Sequence, residues 1–359
     1  MSSNLATLLE QTCARISPPS SEAHATARRR LDTLTKPLGS LGRLEDIAAQ
    51  WVSIRQQRFG DPIHKAVYIF AADHGIAAEG VSAYPSEVTH QMVLNFLADG
   101  AAINVLARQH HAALHVVDVG VDADMSGVVS LLHRKVARGT RNMLHEAAMS
   151  ADDLQAALCV GIELAMEAAA AGYNLIAIGE MGIGNTTSAT AITCALTGAS
   201  VEDATGRGTG VDDSVRAHKA QVIQAVLERH FSHHLHSHPL DVLRSVGGFE
   251  IAAMVGMTLG AASQGVAVLC DGFISMAAAA LAVAIAPNTH GYLIAGHQSA
   301  EPGHLLLLDH LGLSPLLSLN MRLGEGTGAV LAMPIVESAV ALYTRMATFA
   351  SAGVSEASG

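Results

Sequence analysis

Five short apolar runs punctuate the chain from residue 65 onward: 66–71, 114–119, 175–178, 266–269 and 292–295. Each is rich in Val, Ile, Leu or Ala, and helical patterning separates one from the next. Alternation of this kind predicts an α/β fold, with an open, Rossmann-like parallel sheet and helices on both faces. Residues 1–60 carry no such run. Their pattern predicts helices over 21–34 and from the Leu41–Gly42 turn through Trp51, where Leu41, Leu44, Ile47 and Ala48 share one apolar face. Ser40 or Gly42 is the expected cap. A last helix is expected from about Gly328 to Ala350, with Val330, Met333, Val336, Val340 and Tyr343 on its apolar face. Pro334 should kink it or mark its true start. The expected organisation is a small helical domain of residues 1–60, with part of 330–350 packed on it, and a catalytic α/β domain of residues 61–329.

The predicted strand ends are polar or rich in glycine. Ala72-Asp73-His74-Gly75 follows the first run, Gly120-Val121-Asp122 the second, and Gly179-Glu180-Met181-Gly182-Ile183-Gly184-Asn185-Thr186-Thr187 the third. Asp271-Gly272 comes one residue after the fourth, and Gly296-His297-Gln298-Ser299-Ala300-Glu301 follows the fifth. Open α/β sheets bind ligands outside the carboxyl ends of their strands. Loops are polar in any protein, yet this density of Gly with Asp, Glu and His points to one site.

Residues 179–187 read as a strand, a glycine loop and a helix start. Free N–H groups and the helix dipole at such a start suit a phosphate. No Lys follows the last glycine, so the loop is not a Walker A motif, and the glycine spacing does not fit GxGxxG. These points weaken NTPase and dinucleotide readings and leave a small phosphate monoester. An ordinary N-cap is the plainer alternative. A second glycine-rich loop, Thr205 to Asp213 with Gly208 inside it, leads into a helix bearing Lys219; Arg207 or Lys219 offers positive charge. In Arg322-Leu323-Gly324-Glu325-Gly326-Thr327-Gly328 a carboxylate stands between glycines. Glu325 is a candidate general base if its surroundings raise its pKa, or simply a first-turn helix residue. The glycines of Gly247-Gly248-Phe249-Glu250 read as close helix packing.

Composition narrows the classes. Half of the 359 residues are hydrophobic, aromatics are 4%, and the net charge is −11. No basic run appears, so nucleic-acid binding is not expected. The most apolar stretch, 273–286, is too short for the roughly 20 apolar residues of a membrane span. No secretory leader is visible, and four dispersed cysteines fit reduced thiols; a cytoplasmic location is expected. Nineteen histidines include a cluster over 230–238, which reads as a solvated linker rather than a metal centre.

The blocks Lys36–Glu45, Ala72–Gly75, Gly179–Thr187, Gly247–Ile251, Leu269–Ile274, Ser299–Gly303 and Arg322–Gly328 together resemble the nicotinate-nucleotide–dimethylbenzimidazole phosphoribosyltransferases of cobalamin nucleotide-loop assembly. They stand in the family's order over nearly the whole chain. The resemblance implies transfer of ribose 5-phosphate from nicotinate mononucleotide to a benzimidazole nitrogen, without a metal or other cofactor, by a homodimer. It implies Glu325 as general base and Glu180 at the loop mouth, touching ribose or assisting Glu325. It also implies a 5′-phosphate cradle of Gly182, Ile183, Gly184, Asn185, Thr186 and Thr187, with Lys219 and Gly208 nearby. Tyr84, Pro85 and Gln91 fall where the family lines its base pocket, with Met181 and Leu323 as apolar walls. Gly296 departs from relatives that carry serine there, which leaves only its backbone for the phosphate. The competing readings are the same transfer to adenine or a phenolic acceptor, a mononucleotide-binding protein without turnover, and an oxidoreductase disfavoured by its glycine spacing.

Overall fold

The computed structural model describes residues 2–208, 210, 212–231 and 238–355, with side chains from residue 7 onward. Most of the expected His-rich linker, residues 232–237, lies outside the described residues. His230, at its edge, bonds the Met143 carbonyl through Nε2 at 2.7 Å.

The sheet has six parallel strands: β1 (Lys65–Ala72), β2 (Ala113–Gly120), β3 (Leu132–His133), β4 (Leu175–Met181), β5 (Ala267–Cys270) and β6 (Leu293–Ala295), in the order β3-β2-β1-β4-β5-β6. The five apolar runs are five of these strands. The sixth, β3, has two residues, paired with Val117 and Asp118 of β2, too few to leave a pattern. All eight residues of β1 are buried, as expected of a central strand covered on both faces. The order reverses direction between β1 and β4, so their carboxyl ends open a crevice at the topological switch point.

Helices cover both faces. Ala151–Ala170 packs along Phe249–Ser263. They approach closely because Gly256 meets the Leu158 backbone and Gly260 the Ile162 backbone, leaving no space for a larger side chain. Phe273–Ile285, the most apolar stretch, is buried from Phe273 through Ala282. Among the described residues one helix, Thr327–Arg345, is long and apolar enough to cross a membrane by length and composition; over half of its apolar window is buried inside the protein.

The N-terminal segment forms helices Ser2–Arg15, Ser21–Asp32 and Arg43–Arg55. Ser20 caps the second, its hydroxyl accepting from Ala23 N–H. Gly42 caps the third with φ +52° and no side chain, while Glu45 reaches back to Leu41 N–H at 3.1 Å. Arg43–Arg55 packs on Thr327–Arg345, and one continuous apolar core runs from Ile16 to Tyr343. Pro334 lies inside that last helix. The helix ends at Arg345, short of the expected residue 350. Met346 turns to extended backbone, and Thr348 caps a separate turn, Phe349–Ala352, after bridging to Leu34.

Candidate active site

At the end of β4 the chain turns through Gly182 and Gly184 into the helix Asn185–Thr197. A Cβ on Gly182 would stand 2.5 Å from the Ala72 carbonyl, so only glycine lets this loop close on β1. Gly184 has φ +96°, in the left-handed region that favours glycine. Thr89 accepts the Ile183 N–H at 3.1 Å and fixes the loop from the opposite side. Beneath it, His74 Nε2 lies 2.6 Å from the Glu250 carboxylate, and Ser188 Oγ lies 3.1 Å from His74 Nδ1. This buried chain ties the ends of β1 and β4 to the start of Phe249–Ser263. A Cβ on Gly248 would overlap the His74 ring and stand 2.6 Å from the Glu250 carboxylate, so close packing around this pair requires the glycine.

The helix start, β5 and the C-terminal glycine loop enclose a cleft whose empty space, counted to its mouth, is about 660 Å³. Glu180, Met181, Gly182, Ile183, Asn185 and Thr186 line one side. Asp271, His297, Ser299, Glu301, Arg322, Leu323 and Gly324 line the other. Asn185 donates its amide to the Glu180 carboxylate. Burial, then the charges of Glu250 and Asp271, push the Glu180 pKa up to about 8. The Asn185 hydrogen bond and Glu325 are the lesser influences.

Glu325 sits in a run of three left-handed residues, Gly324 (φ +81°), Glu325 (φ +62°) and Gly326 (φ +80°). Asp271 holds this run by accepting Gly326 N–H at 3.2 Å and Ala329 N–H at 3.0 Å. Asp271 thereby caps the last helix, and His297 stands 3.6 Å from it, packed flush on Gly328. The Glu325 carboxylate lies near the Ile103 N–H in the first turn of the helix Ala102–Gln109, which draws its pKa down, and its Oε2 is buried without a partner. Burial raises its pKa to about 7. Gly324 and Leu323 line the cleft, whereas the Glu325 side chain does not.

A smaller chamber adjoins the cleft, walled by Val81, Ser82, the Gly182–Thr186 loop, Arg207, Gly208 and Lys219. Lys219 is buried and its Nζ donates to Thr186 Oγ1 at 2.6 Å. Burial lowers its pKa to about 8, against the pull of Glu301. Gly208 closes the far wall, its carbonyl accepting from Arg322 at 2.8 Å and its N–H directed to Glu301. A helix N-terminus and a buried ammonium thus face one small space, an arrangement suited to a phosphate.

The cradle residues Gly182 to Thr186, Lys219 and Gly208 come together around this space, next to Glu180. Thr187 is buried behind them, its hydroxyl unpartnered and outside both linings. Gly296 does not join them. Its N–H donates to the Cys270 carbonyl at 2.8 Å and its carbonyl accepts Leu317 N–H at 3.1 Å, so its backbone is engaged elsewhere. Met181 and Leu323 are cleft walls. Tyr84, Pro85 and Gln91 are exposed and line neither space. Asp271, His297, Glu301 and Arg322 were visible in the sequence only as parts of motifs. The Glu250–His74 pair joins residues 176 positions apart, and the glycines before Glu250 gave the only local hint.

A family model described as a phosphoribosyltransferase matches residues 16–354. The chain is 52% identical to the nicotinate-nucleotide–dimethylbenzimidazole phosphoribosyltransferase of Chloroflexus aggregans over 349 residues, 97% of this chain and 98% of that one. It is 49% identical to the enzyme of the same name from Geobacter sulfurreducens over 350 residues, 98% of this chain and 99% of that one. Among solved structures, CobT of Thermus thermophilus superposes with a TM-score of 0.89 at 46% identity, covering 94% of this chain and all of the other. Half of all residues shared along nearly the whole length, on the same fold, place this protein in the nicotinate-nucleotide–dimethylbenzimidazole phosphoribosyltransferase family.

Proposed function

We propose that the protein transfers ribose 5-phosphate from nicotinate mononucleotide to 5,6-dimethylbenzimidazole, giving α-ribazole 5′-phosphate and nicotinate for the lower ligand of cobalamin. The observation that carries this reading is the pairing of a buried carboxylate, Glu180, with a small chamber between a helix N-terminus and the buried Lys219 ammonium at the next turn of chain. The 5′-phosphate takes the Gly182–Thr186 N-terminus and Lys219. The ribose then lies at the mouth of the loop, with C1′ toward Glu180. A benzimidazole lone pair forms the new bond to C1′ as the bond to the pyridinium nitrogen breaks. That bond pair returns to the nicotinate ring and neutralises it. The attacking base gains a positive charge, which it loses by giving its N–H proton to a carboxylate. Attack opposite the leaving group inverts C1′ and gives the α linkage.

Glu180 fits the acceptor of that proton because it faces the cleft and holds a proton readily. Glu325 keeps its proposed role as a base only if its side chain swings from Ile103 toward the cleft; as placed, it adds negative charge behind Glu180. Met181 and Leu323 are the proposed walls for the flat acceptor, and Tyr84, Pro85 and Gln91 its outer contacts. Residues 1–60, with the part of the last helix they pack on, form a small helical unit against the 61–329 catalytic unit in the same proposal. The protein acts as a cytoplasmic homodimer. Exposed Leu94 and Val105 on two consecutive helices support the second copy, and cysteines that form no disulfide among the described residues are consistent with the compartment.

The test is incubation with nicotinate mononucleotide and 5,6-dimethylbenzimidazole, with products separated and weighed. Nicotinate plus an α-ribazole phosphate is the expected result. Product with adenine or a phenol but none with the benzimidazole would shift the acceptor. Protection against unfolding by the mononucleotide, without turnover on any base, would reduce the protein to a binder.

A further inference from the structure

The opposite end of the sheet carries a second polar cleft. It opens beneath the amino ends of β1, β4 and β5, and His64, Asn174 and Val266, the residues just before those strands, form part of its lining. Arg55, Arg58, Asp61, Tyr173 and Gln264 complete its polar wall, and the space counted to its mouth is about 710 Å³. The full lengths of β1 and β4, at about 3.3 Å per residue, separate it from the cleft at Glu180.

Its charge is unusual for a protein of net charge −11. Arg55 is only 7% exposed. Its Nη1 donates to the Gly265 carbonyl at 3.0 Å, while its Nε is buried without a partner. Arg58 belongs to the next turn of chain and lines the same space. Among the described residues neither guanidinium has a carboxylate within ion-pair distance, although eleven pairs of Lys or Arg with a carboxylate form elsewhere. Asp61 at the lip attracts Arg55 from further away. Burial and the Arg58 charge both press the Arg55 pKa down. Like charges held together with a buried donor left open cost free energy that a bound anion would offset. The helix Arg43–Arg55 ends here, and its C-terminal dipole stabilises Arg55; it does not account for Arg58 or for the open Nε.

We propose that this cleft is a second anion site, in which Arg55 and Arg58 hold the phosphate or carboxylate group of a small molecule. The guanidinium forks suit either oxyanion. The Asn174 amide is already committed, to the Pro62 carbonyl and the His64 N–H. Selectivity beyond the oxyanion therefore falls to His64, Tyr173 and Gln264 at the rim.

Calorimetric titration with inorganic phosphate, at constant ionic strength and with nicotinate mononucleotide already saturating the active cleft, tests the proposal. One equivalent of phosphate should still bind. Arg58→Gln, at an exposed position, should weaken that binding at least tenfold while leaving turnover within twofold in phosphate-free buffer. Arg55→Lys should weaken it as well, with a similar unfolding temperature. Titration with acetate in place of phosphate identifies the preferred oxyanion: tighter acetate binding that Arg58→Gln weakens assigns the cleft to a carboxylate, tighter phosphate binding to a phosphate. No heat from either anion, or binding unchanged in Arg58→Gln, overturns the proposal. Neither result depends on which acceptor base the active cleft uses.

Discussion

Gly324 lies directly over the Glu180 carboxylate: a Cβ there would stand 2.5 Å from Oε1. The glycine loop and the cleft acid are therefore one unit. Residues 144 positions apart in the chain set each other's geometry, and the loop can neither tighten nor gain a side chain without displacing the acid.

Gly324→Ala should show this. The left-handed backbone costs an alanine about 1–2 kcal/mol, and the methyl group pushes Glu180 away from Asn185. A stability loss of that order in denaturant unfolding is expected, together with a fall in kcat of more than tenfold. Lost stability with unchanged kcat would separate the loop from the acid.

Lys219→Met keeps the length of the side chain and removes its charge. A charge-assisted hydrogen bond contributes about 1.5–3 kcal/mol, so KM for nicotinate mononucleotide should rise roughly 10- to 100-fold, with a smaller change in kcat. The wild-type enzyme should show the same weakening as pH passes above about 8 and Lys219 loses its proton. Steady-state kinetics from pH 6.5 to 9.5 reads both effects; a KM indifferent to charge at 219 would move the phosphate elsewhere.

Stability of the unliganded protein should fall as pH rises. Glu180 and Glu325 have folded-state pKa values raised to about 8 and about 7, and Asp271 and Glu301 are also raised, first by burial. A raised acid binds its proton more tightly in the folded state. Its contribution is complete below the unfolded value, about 4, and is lost as pH climbs through the folded one. Thermal unfolding followed from pH 5.5 to 8.5 should show a decline on the order of 5 °C. Glu180→Gln should flatten that decline. A melting temperature that rises across the window would contradict the buried, protonated carboxylates.

The sheet was legible because buried parallel strands must be continuous apolar runs, and the five longest are. β3 escaped because two paired residues leave no period. The small chamber beside Lys219 was legible through Gly182 and Gly184, where backbone conformation and close approach demand glycine and so mark the sequence. What could not be read are directions and distant pairings. Glu325 stands in a conspicuous motif, yet its carboxylate turns toward Ile103, a choice made by tertiary packing. The resemblance leaves the Gly296 backbone for a ligand, but Cys270 of β5 claims its N–H and Leu317 its C=O. Tyr84 and Gln91 fall at the expected positions in the chain, and only the folded surface shows them facing outward.

The central claim is that Glu180 accepts the proton released by the attacking base. The pH dependence of kcat, measured at saturating substrates for the wild type and Glu180→Gln, tests it most directly. The account predicts a wild-type rate that climbs with pH and levels above about 8, as Glu180 ionises. It predicts a variant slower by about 10²–10⁴, with nicotinate mononucleotide binding nearly unchanged and any remaining rise centred near 7, where Glu325 ionises. A wild-type rate independent of pH between 6 and 9, or a Glu180→Gln enzyme as fast as the wild type, would contradict it.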